Sequence, residues 1–309
     1  PWRAMKKSFL FITDAFGSLN HKKDTSIFMM EEAINRDVDV YQCEMKDIFA
    51  LDNMVYANCF SISSNLSIAI NTNKIALNDF SSVFMRKDPP VDENYINCLH
   101  LLSTAANNGA NIHNDPSAIK EFNEKVFALY FSDFIPKTII TSDINQIKEF
   151  QKRYQTIVVK PLDGMGGASI HKFDDINEDA KDILLNMTNK ETTTIIGQEF
   201  LPEIYDGDFR ILIIHGKPFP KTLARIPQDG NFKGNLAAGG KGVVADLTPA
   251  QEEIANKVAI KLLENGINFA GIDMIGDKLT EINITSPTCA REIYIQSGEN
   301  PIKEYIKGL

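Results

Sequence analysis

The segment Gly271-Ile-Asp-Met-Ile-Gly-Asp-Lys-Leu-Thr-Glu-Ile-Asn-Ile284 carries the pattern that decides how this chain folds. Two short apolar runs flank a glycine-containing turn, which is typical of a β-hairpin. If residues 276–278 form a three-residue loop, Asp273 lies opposite Glu281. Because alternate residues of a strand face opposite sides, Asn283 shares the face of Glu281. The pattern therefore predicts three oxygen donors on one face of a hairpin.

The same register organises the other face of the hairpin. It pairs Met274 with Thr280 and Ile272 with Ile282, which places the apolar residues together. A shift of one residue moves every side chain of a strand to the opposite face. We therefore expect that a two-residue turn would scramble both faces, and the three-residue loop is the predicted one.

Two carboxylates and an amide on one face suit a magnesium ion, or manganese. Both cations prefer oxygen ligands and commonly share them with water and nucleotide phosphate. Asp273, Glu281 and Asn283 are the candidate metal ligands, and no lysine stands near them on that face. The alternative is a hairpin face that is simply exposed to water, and the spacing alone leaves that alternative open.

A glycine-rich turn follows an apolar strand predicted over 156–160. Lys160 ends this strand, and Asp163-Gly164-Met165-Gly166-Gly167 comes next. Glycines let backbone N–H groups approach anionic oxygens closely, and a lysine adds a positive charge. The spacing fits neither a Walker A loop nor GxGxxG. The segment is either a phosphate-binding loop or an ordinary turn.

Two arginines interrupt apolar strands in a second predicted hairpin, formed by 209–214 and 221–226. Arg210 and Arg225 are costly in such positions unless they are paired. They are either surface arginines or groups that stabilise a transferred phosphoryl group. The adjoining loop 227–242 is rich in glycine, asparagine and alanine, which predicts a mobile lid.

Length and composition narrow the class of protein. The chain has 309 residues, a formal net charge of −9 and an apolar fraction of 43%, which is typical of a globular protein with two or three domains. The acidic balance argues against a nucleic-acid or anionic-membrane partner, and no apolar run has the length of a membrane span. The four cysteines form no CxxC pair, which favours reduced thiols in the cytoplasm.

The order of predicted elements indicates an α/β fold. A strand over 8–13, a helix over 25–36 and a strand over 38–44 form a βαβ beginning, which favours an open parallel sheet. The pattern further predicts a strand over 82–85, a helix over 94–107, a helix over 123–131, a strand over 192–200 and a helix over 249–265. We expect an N-terminal domain over 5–122 and a second domain over 123–309.

Several of these motifs resemble those of bacterial glutathione synthetase, a family of the ATP-grasp superfamily. The matching segments are Lys160-Pro-Leu-Asp-Gly-Met-Gly-Gly-Ala-Ser-Ile170, Gly234-Asn-Leu-Ala-Ala-Gly-Gly240, Thr280-Glu-Ile-Asn-Ile-Thr-Ser-Pro-Thr288, Met85-Arg-Lys-Asp-Pro-Pro90 and Lys22-Lys-Asp-Thr-Ser26. The likeness runs from about residue 8 to about 293. It implies an N-terminal open parallel-sheet domain of the pre-ATP-grasp type. An ATP-grasp domain would follow, with a small lid subdomain over about 123–200 and a flexible loop over 227–242.

The resemblance also implies roles for particular residues. ATP would be bound by Lys125, Lys160, Gly164, Gly166, Gly167, Gln198, Glu199, Phe200, Leu201 and Asp208. The amino-acid substrates would be bound by Arg86, Asn283, Ser286, Pro287 and Thr288. Arg210 and Arg225 would be catalytic, and Asp273, Glu281 and Asn283 would hold Mg²⁺ or Mn²⁺. Lys125 comes from the resemblance alone, because a lysine in a predicted helix is usually solvated.

The resemblance implies an ATP-dependent ligase that joins γ-glutamylcysteine to glycine through an acyl phosphate. Its partners would be these small molecules and ATP, with no nucleic acid and no membrane, in a cytoplasmic homo-oligomer. Such catalysis needs positioning and charge stabilisation rather than a protein nucleophile. Two alternatives remain: another ATP-grasp carboxylate–amine ligase, and a non-catalytic nucleotide-binding regulator.

Overall fold

Three β-sheets organise the part of the chain that the structure, a computed structural model, describes, which is residues 6–167 and 169–309. Met5, where the predicted N-terminal domain begins, and Ala168 of the glycine-rich motif lie outside these residues. None of the described helices combines the length and the apolar character needed to cross a lipid bilayer. The order of the sheets along the chain determines where the candidate site lies.

The first sheet has a parallel centre, as the βαβ pattern predicts. Its strands run in the order β3-β4-β2-β1-β6-β7, with β5 beside β4. Asp24 caps α1 by accepting a hydrogen bond from the Ile27 amide, which fixes the start of the first crossover helix. The elements are β1 (Ser8–Ile12), α1 (Thr25–Asn35), β2 (Asp39–Cys43), β3 (Ile48–Leu51), β4 (Met54–Ile62), β5 (Asn73–Ala76), β6 (Ser82–Met85), α2 (Glu93–Asn107), β7 (Ile112–His113) and α3 (Pro116–Glu121).

An antiparallel extension of this sheet was not predicted. Strands β3, β5 and β2 each pair antiparallel with β4. Buried and more exposed residues alternate along the middle of β4, and polar residues interrupt its apolar pattern. The weak periodicity explains why sequence reasoning finds the buried parallel strands and misses this half-exposed part.

The second sheet is antiparallel and has the order β10-β9-β11-β8. Its elements are β8 (Thr138–Thr141), α4 (Ile144–Tyr154), β9 (Ile157–Pro161), β10 (His171–Phe173), α5 (Glu178–Met187) and β11 (Ile195–Glu199). It lies within the range assigned to the lid. The glycine-rich motif connects β9 to β10, so it forms the tip of an antiparallel pair.

The third sheet contains both predicted hairpins. Its strands run in the order β15-β14-β12-β16-β17, with β13 beside β12. The elements are β12 (Asp208–Ile214), β13 (Lys217–Pro218), β14 (Lys221–Ile226), β15 (Lys241–Asp246), α6 (Pro249–Glu264), β16 (Phe269–Ile275), β17 (Lys278–Asn283), α7 (Ala290–Ser297) and α8 (Pro301–Lys307). A short 3-10 turn, Leu236–Ala238, interrupts the predicted flexible loop.

The three-residue loop predicted for the β16–β17 hairpin is wrong. Ile275 pairs with Lys278, which leaves a two-residue turn, and a bulge then restores the register so that Asp273 lies opposite Glu281. The extra residue of the bulge is Thr280, whose hydroxyl donates to the Asp273 carbonyl at 3.1 Å. A bulge adds one residue to one strand, so it compensates for the shorter turn.

The helix predicted over 123–131 is also wrong in type and extent. The chain forms a 3-10 helix over Val126–Phe131, and Lys125 precedes it. The Asn123 side chain accepts hydrogen bonds from the backbone amides of Lys125 and Val126. Such a local side-chain bond replaces the first turn of an α-helix. It also fixes the direction in which Lys125 leaves the backbone.

The C-terminal helices join the first and third sheets through one hydrophobic core. Buried residues of α8, including Ile302 and Tyr305, pack with β1, α1 and β12 side chains. The ring of Tyr305 lies 6.1 Å from Phe84 of β6 and 4.8 Å from Phe269 of β16. This shared core holds the end of β6 beside the end of β17, which is where the candidate site forms.

Ile302→Ala should lower the free energy of unfolding by about 2–5 kcal/mol, because Ile302 is fully buried and the truncation leaves a cavity. Urea denaturation followed by circular dichroism measures the loss. Lys303→Ala, at the next and exposed position, is the control and should change stability by about 0.5 kcal/mol or less. Equal stabilities of the two variants would contradict a core shared through α8.

Candidate active site

A cavity of about 320 Å³ lies where the three sheets meet. Its wall is formed by the glycine-rich motif, the ends of β11, β12, β14 and β17, and the loop before β15. Every predicted site residue except Arg86 lines it: Lys125, Lys160, Gly164, Gly166, Gly167, Gln198, Glu199, Phe200, Leu201, Asp208, Arg210, Arg225, Asp273, Glu281, Asn283, Ser286, Pro287 and Thr288. Residues far apart in sequence therefore meet in one volume.

Asp273 is the centre of a buried charge network. Arg210 Nη2 donates to its Oδ2 at 3.0 Å, and Arg225 Nη2 lies 3.1 Å from the same oxygen. Arg225 Nη2 also donates to Asp208 Oδ2 at 2.6 Å. Burial alone would raise the pKa of Asp273, but the charges of Arg210 and Arg225 hold that pKa below its ordinary value. The network therefore keeps Asp273 ionised.

Strand register brings this network together. Arg210 of β12 is the cross-strand partner of Asp273 on β16, and Asp208 of β12 is the partner of Arg225 on β14. Directly opposed side chains of antiparallel strands lie close enough to pair. The arginines that interrupt apolar strands are thus paired in the interior, and the surface alternative is wrong for both.

Lys125 connects the glycine-rich motif to β17. Its Nζ donates to the Gly164 carbonyl at 2.8 Å and lies 3.2 Å from Glu281 Oε1. The Lys125 side chain is 5% exposed, so this ion pair is shielded from solvent. Lys125 therefore differs from the solvated lysine that is usual on a helix, and the alternative of a hairpin face exposed to water is wrong for Glu281.

Lys160 adds a second lysine near the same carboxylates. Burial, and to a smaller extent the charge of Lys125, lower the pKa of Lys160, whereas the charges of Glu281 and Asp208 act in the opposite direction. A lysine in such a position gains most from an anion that enters the cavity. This is the electrostatic environment expected beside a phosphate chain.

Glu124 is a cavity residue that sequence reasoning missed. Its Oε1 accepts hydrogen bonds from the Ile284 amide at 2.7 Å and from the Thr285 amide and hydroxyl, both at 2.9 Å. Burial, and then the charge of Glu281, raise the pKa of Glu124. The carboxylate ties the segment that carries Lys125 to the end of β17. The sequence Asn123-Glu124-Lys125 has no pattern from which these hydrogen bonds to Ile284 and Thr285 could be predicted.

The oxygen donors fit a hard divalent cation. Asp273 and Glu281 are register partners, and Asn283 Nδ2 donates to Asp273 Oδ2 at 3.2 Å. Asp208 Oδ1 is buried and accepts no hydrogen bond from the described residues, so another acceptor oxygen is available nearby. No cluster of three or more His, Cys, Asp or Glu side chains in residues 6–167 and 169–309 could hold a metal ion. The candidate set contains only two carboxylates, and its third oxygen donor is the amide of Asn283.

The glycine-rich motif contacts the loop before β15. A methyl carbon added at Gly167 would lie 2.9 Å from Asn235 Oδ1, and one at Gly166 would lie 3.4 Å from the Ala237 methyl. Both glycines have positive φ angles, 64° and 78° in chain order. The close approach and the left-handed backbone explain why glycine stands at these positions.

The segment Gln198 to Leu201 forms a mainly apolar part of the wall together with Val158, Ile204 and Ile275. Glu199 Oε1 accepts from the Lys137 amide at 2.8 Å, which directs this carboxylate toward the backbone of the neighbouring strand. An apolar slot beside an exposed strand end is suited to a flat aromatic ring.

Arg86 lies behind the cavity rather than on its wall. Its Nε donates to Ser26 Oγ at 3.0 Å and its Nη2 donates to the Pro287 carbonyl at 3.0 Å. Arg86 is 7% exposed. It therefore supports the turn at Ser286, Pro287 and Thr288 from the side facing away from the cavity. The side chains of Ser286 and Thr288 belong to the cavity wall.

Known protein families and relatives match nearly the whole chain. The family description "Prokaryotic glutathione synthetase, N-terminal domain" matches residues 7–120, and "Prokaryotic glutathione synthetase, ATP-grasp domain" matches residues 124–298. A glutathione synthetase of Citrobacter rodentium is 40% identical over 291 residues, 91% of each chain. One of Buchnera aphidicola subsp. Baizongia pistaciae is 42% identical over 293 residues, which cover 93% of this chain and 90% of that relative.

Solved structures share the fold at low sequence identity. The ATP-grasp ligase PsnB, in complex with a phosphomimetic variant of its minimal precursor, Mg and ADP, aligns with a TM-score of 0.63 at 15% identity, over 98% of this chain and 97% of that chain. The D-cycloserine synthetase DcsG aligns with a TM-score of 0.66 at 11% identity, over 97% of each chain. These similarities show an ATP-grasp architecture and concern the fold alone.

Glu124→Ala should weaken ATP binding by about 10- to 100-fold, because three donors at the end of β17 lose their charged acceptor and Lys125 loses its support. Titration with a fluorescent ATP analogue measures the affinity. Glu124→Gln keeps an acceptor oxygen and should restore most of it. Equal defects in the two variants would contradict a positioning role for the hydrogen bonds.

Gly167→Ala should weaken ATP binding, whereas Gly230→Ala should leave it nearly unchanged. Both glycines have left-handed backbones, with φ of 78° and 74°, so each substitution costs about 1–2 kcal/mol of local strain. A methyl group at Gly167 meets Asn235, whereas nothing lies within 4 Å of one at Gly230. Equal ATP affinities of the two variants would contradict a contact between the two loops.

Proposed function

Because this chain belongs to the prokaryotic glutathione synthetase family, whose members are ATP-dependent, ADP-forming ligases that make glutathione, we propose that the cavity joins γ-glutamylcysteine to glycine through an acyl phosphate. The observation that carries this proposal is the meeting of two lysines and two arginines with the carboxylates of one hairpin. They are Lys125, Lys160, Arg210, Arg225, Asp273 and Glu281.

The reaction requires activation of a carboxylate. One oxygen of the cysteinyl carboxylate attacks the terminal phosphorus of ATP, and the bond from that phosphorus to the ADP oxygen breaks. The glycine amine, after loss of a proton, attacks the acyl carbon, and phosphate leaves with the electrons of the C–O bond. Arg210 and Arg225 would stabilise the transferred phosphoryl group, since a guanidinium fork matches its oxygens.

The nucleotide would lie along the wall between the glycine-rich motif and β11. Lys125 and Lys160 would contact its phosphates, and the segment from Gln198 to Leu201 would face the adenine ring. Asp208 Oδ1, which has no hydrogen-bond partner among residues 6–167 and 169–309, would accept a ribose hydroxyl, and this supports the assignment of Asp208 to the sugar. These roles follow the family resemblance, and the shape and charge of the cavity support them.

Asp273, Glu281 and Asn283 would hold Mg²⁺ or Mn²⁺. A bound divalent cation would neutralise phosphate charge and polarise the transferred group. Asp273 is held by Arg210 and Arg225 in this structure. We infer that the two guanidinium groups turn from Asp273 to the entering phosphoryl group, so that the carboxylate becomes a ligand when a new anion replaces it.

The loop 227–242 would act as the lid and exclude water from the acyl phosphate. Gly234 lies against the Arg225 backbone, and Gly240 lies against the Gly234 backbone, so a Cβ would clash at either position. Water would otherwise hydrolyse the intermediate. The buried thiols Cys43, Cys59, Cys98 and Cys289 are all free, in keeping with a cytoplasmic enzyme. We further propose that the protein is a homo-oligomer.

Glu281→Gln should lower the rate of glutathione formation at least about 100-fold, because the variant loses a charged metal ligand and the partner of Lys125. Chromatographic detection of glutathione formed from ATP, Mg²⁺, γ-glutamylcysteine and glycine measures the rate.

Asp277→Asn is the matched control for Glu281→Gln, since Asp277 lies in the exposed turn of the same hairpin and should keep the wild-type rate. Wild-type rates in both variants would overturn the metal assignment. If the wild type releases phosphate with another amine but not with glycine, the chain is a different ATP-grasp ligase. If it releases none, it is a nucleotide-binding regulator.

A further inference from the structure

Asp88 brings a carboxylate from the N-terminal sheet to the wall of the cavity. It follows β6, and Ser286 Oγ donates to its Oδ1 at 2.6 Å. Its backbone amide donates to Asp14 Oδ2 at 3.2 Å, which fixes the loop. The nearby lysine, Lys87, is directed elsewhere: its Nζ lies 2.9 Å from Asp14 Oδ1 and donates to the Asp88 carbonyl.

The other acidic side chains of the cavity are already paired. Asp208 and Asp273 pair with arginines, and Glu281 pairs with Lys125. Glu124 accepts three hydrogen bonds, and Glu199 accepts one from a backbone amide. Asp88, like Glu199, forms no ion pair with any residue of 6–167 or 169–309, and a single hydroxyl donates to its carboxylate. Unlike Glu199, the Asp88 carboxylate accepts no hydrogen bond from the backbone of a neighbouring described strand.

The carboxylate at the Asp88 end of the cavity therefore has no positively charged partner among residues 6–167 and 169–309. Burial raises the pKa of Asp88, and Ser286 and Arg86 oppose this rise. Arg86 gives its own hydrogen bonds to Ser26 and Pro287 and does not line the cavity. A partly buried carboxylate with one donor is stabilised strongly by a cationic ligand. The opposite end, with its lysines and arginines, is suited to anions.

We propose that Asp88, oriented by Ser286, is the residue that binds a primary ammonium group of an amino-acid substrate. The inference rests on the proposed function and extends it, because both amino-acid substrates carry such a group. γ-Glutamylcysteine has the α-ammonium of its glutamyl residue, and glycine enters as an ammonium before it loses a proton. The carboxylate thus makes the cavity selective for zwitterionic substrates.

The position of Ser286 supports this assignment. Ser286 and Thr288 lie on the same turn, next to Pro287, and a methyl carbon at Gly271 would touch both Pro287 Cβ and Arg210 Cδ. The turn therefore reaches from Asp88 to the arginine that faces the transferred phosphoryl group. A substrate could therefore place its carboxylate at Arg210 and its ammonium group at Asp88, at the two ends of this turn.

Steady-state kinetics of Asp88→Asn test the inference. Asparagine keeps the acceptor for Ser286 and the side-chain volume and removes the charge. The KM for one amino-acid substrate should rise by about 10- to 100-fold, while the KM for ATP and the melting temperature stay at wild-type values. Glu93→Gln is the matched control, because it removes an exposed carboxylate at the start of α2 that does not line the cavity, and it should leave every KM nearly unchanged.

Glutarylcysteine, which lacks the glutamyl ammonium, distinguishes the two sources of the group. If Asp88 binds that ammonium, Asp88→Asn raises the KM for γ-glutamylcysteine. The KM for glutarylcysteine is then the same in the variant and in the wild type. If it binds glycine, the KM for glycine rises instead. Unchanged KM values for both substrates, or equal effects in Glu93→Gln, would overturn the inference. A wild type that makes no glutathione would overturn the proposed function, and the inference with it.

Discussion

The pairing of Asp273 with Arg210 and Arg225 is the interaction on which the site depends. Two guanidinium groups and two carboxylates lie in the interior of an antiparallel sheet, where an uncompensated charge would cost several kcal/mol. The register of β12, β14 and β16 supplies the compensation. A sheet that must keep these charges paired has one register, and the same register places the proposed metal-binding face of the hairpin toward the cavity.

The second half of the site is a junction built from Asn123, Glu124 and Lys125. Asn123 sets the backbone, Glu124 holds the end of β17, and Lys125 reaches the glycine-rich motif. A short segment at the start of the second proposed domain therefore connects the glycine-rich motif to the proposed metal-binding strand. Movement of the lid sheet relative to β17 would act first on the bond between Lys125 and Gly164.

The predictable part of the fold was the part with strong periodicity. The buried β1, the helix α1 and the strands β12, β14, β16 and β17 have clear apolar runs, and their predicted positions agree closely with the structure, whereas β13 and β15 of the third sheet were not predicted. The antiparallel strands β3 to β5 lack such runs. The β16–β17 register was predicted correctly for Asp273 and Glu281 through a wrong loop length, because a bulge at Thr280 cannot be seen in a pattern of apolar residues.

The sequence predicted the parts of the candidate site that belong to long motifs. It did not predict the roles of single side chains whose contacts are with residues far away in the sequence. The residue patterns located the glycine-rich motif, the arginines and the proposed metal-binding strand, and the family resemblance supplied their expected roles. It could not show that Arg86 supports a turn from behind, or that Glu124 and Asp88 belong to the wall, because these facts depend on packing between sheets.

Electron paramagnetic resonance of Mn²⁺ tests the central claim most directly. With wild-type protein and a non-hydrolysable ATP analogue, the free Mn²⁺ signal should fall below the intensity that the analogue gives without protein, as the ion is bound beside Asp273, Glu281 and Asn283. A Glu281→Gln variant, which keeps the pairs of Asp273 with Arg210 and Arg225, should return the signal to the intensity of the analogue alone while its circular dichroism stays native. Undiminished Mn²⁺ binding by that folded variant would contradict the account.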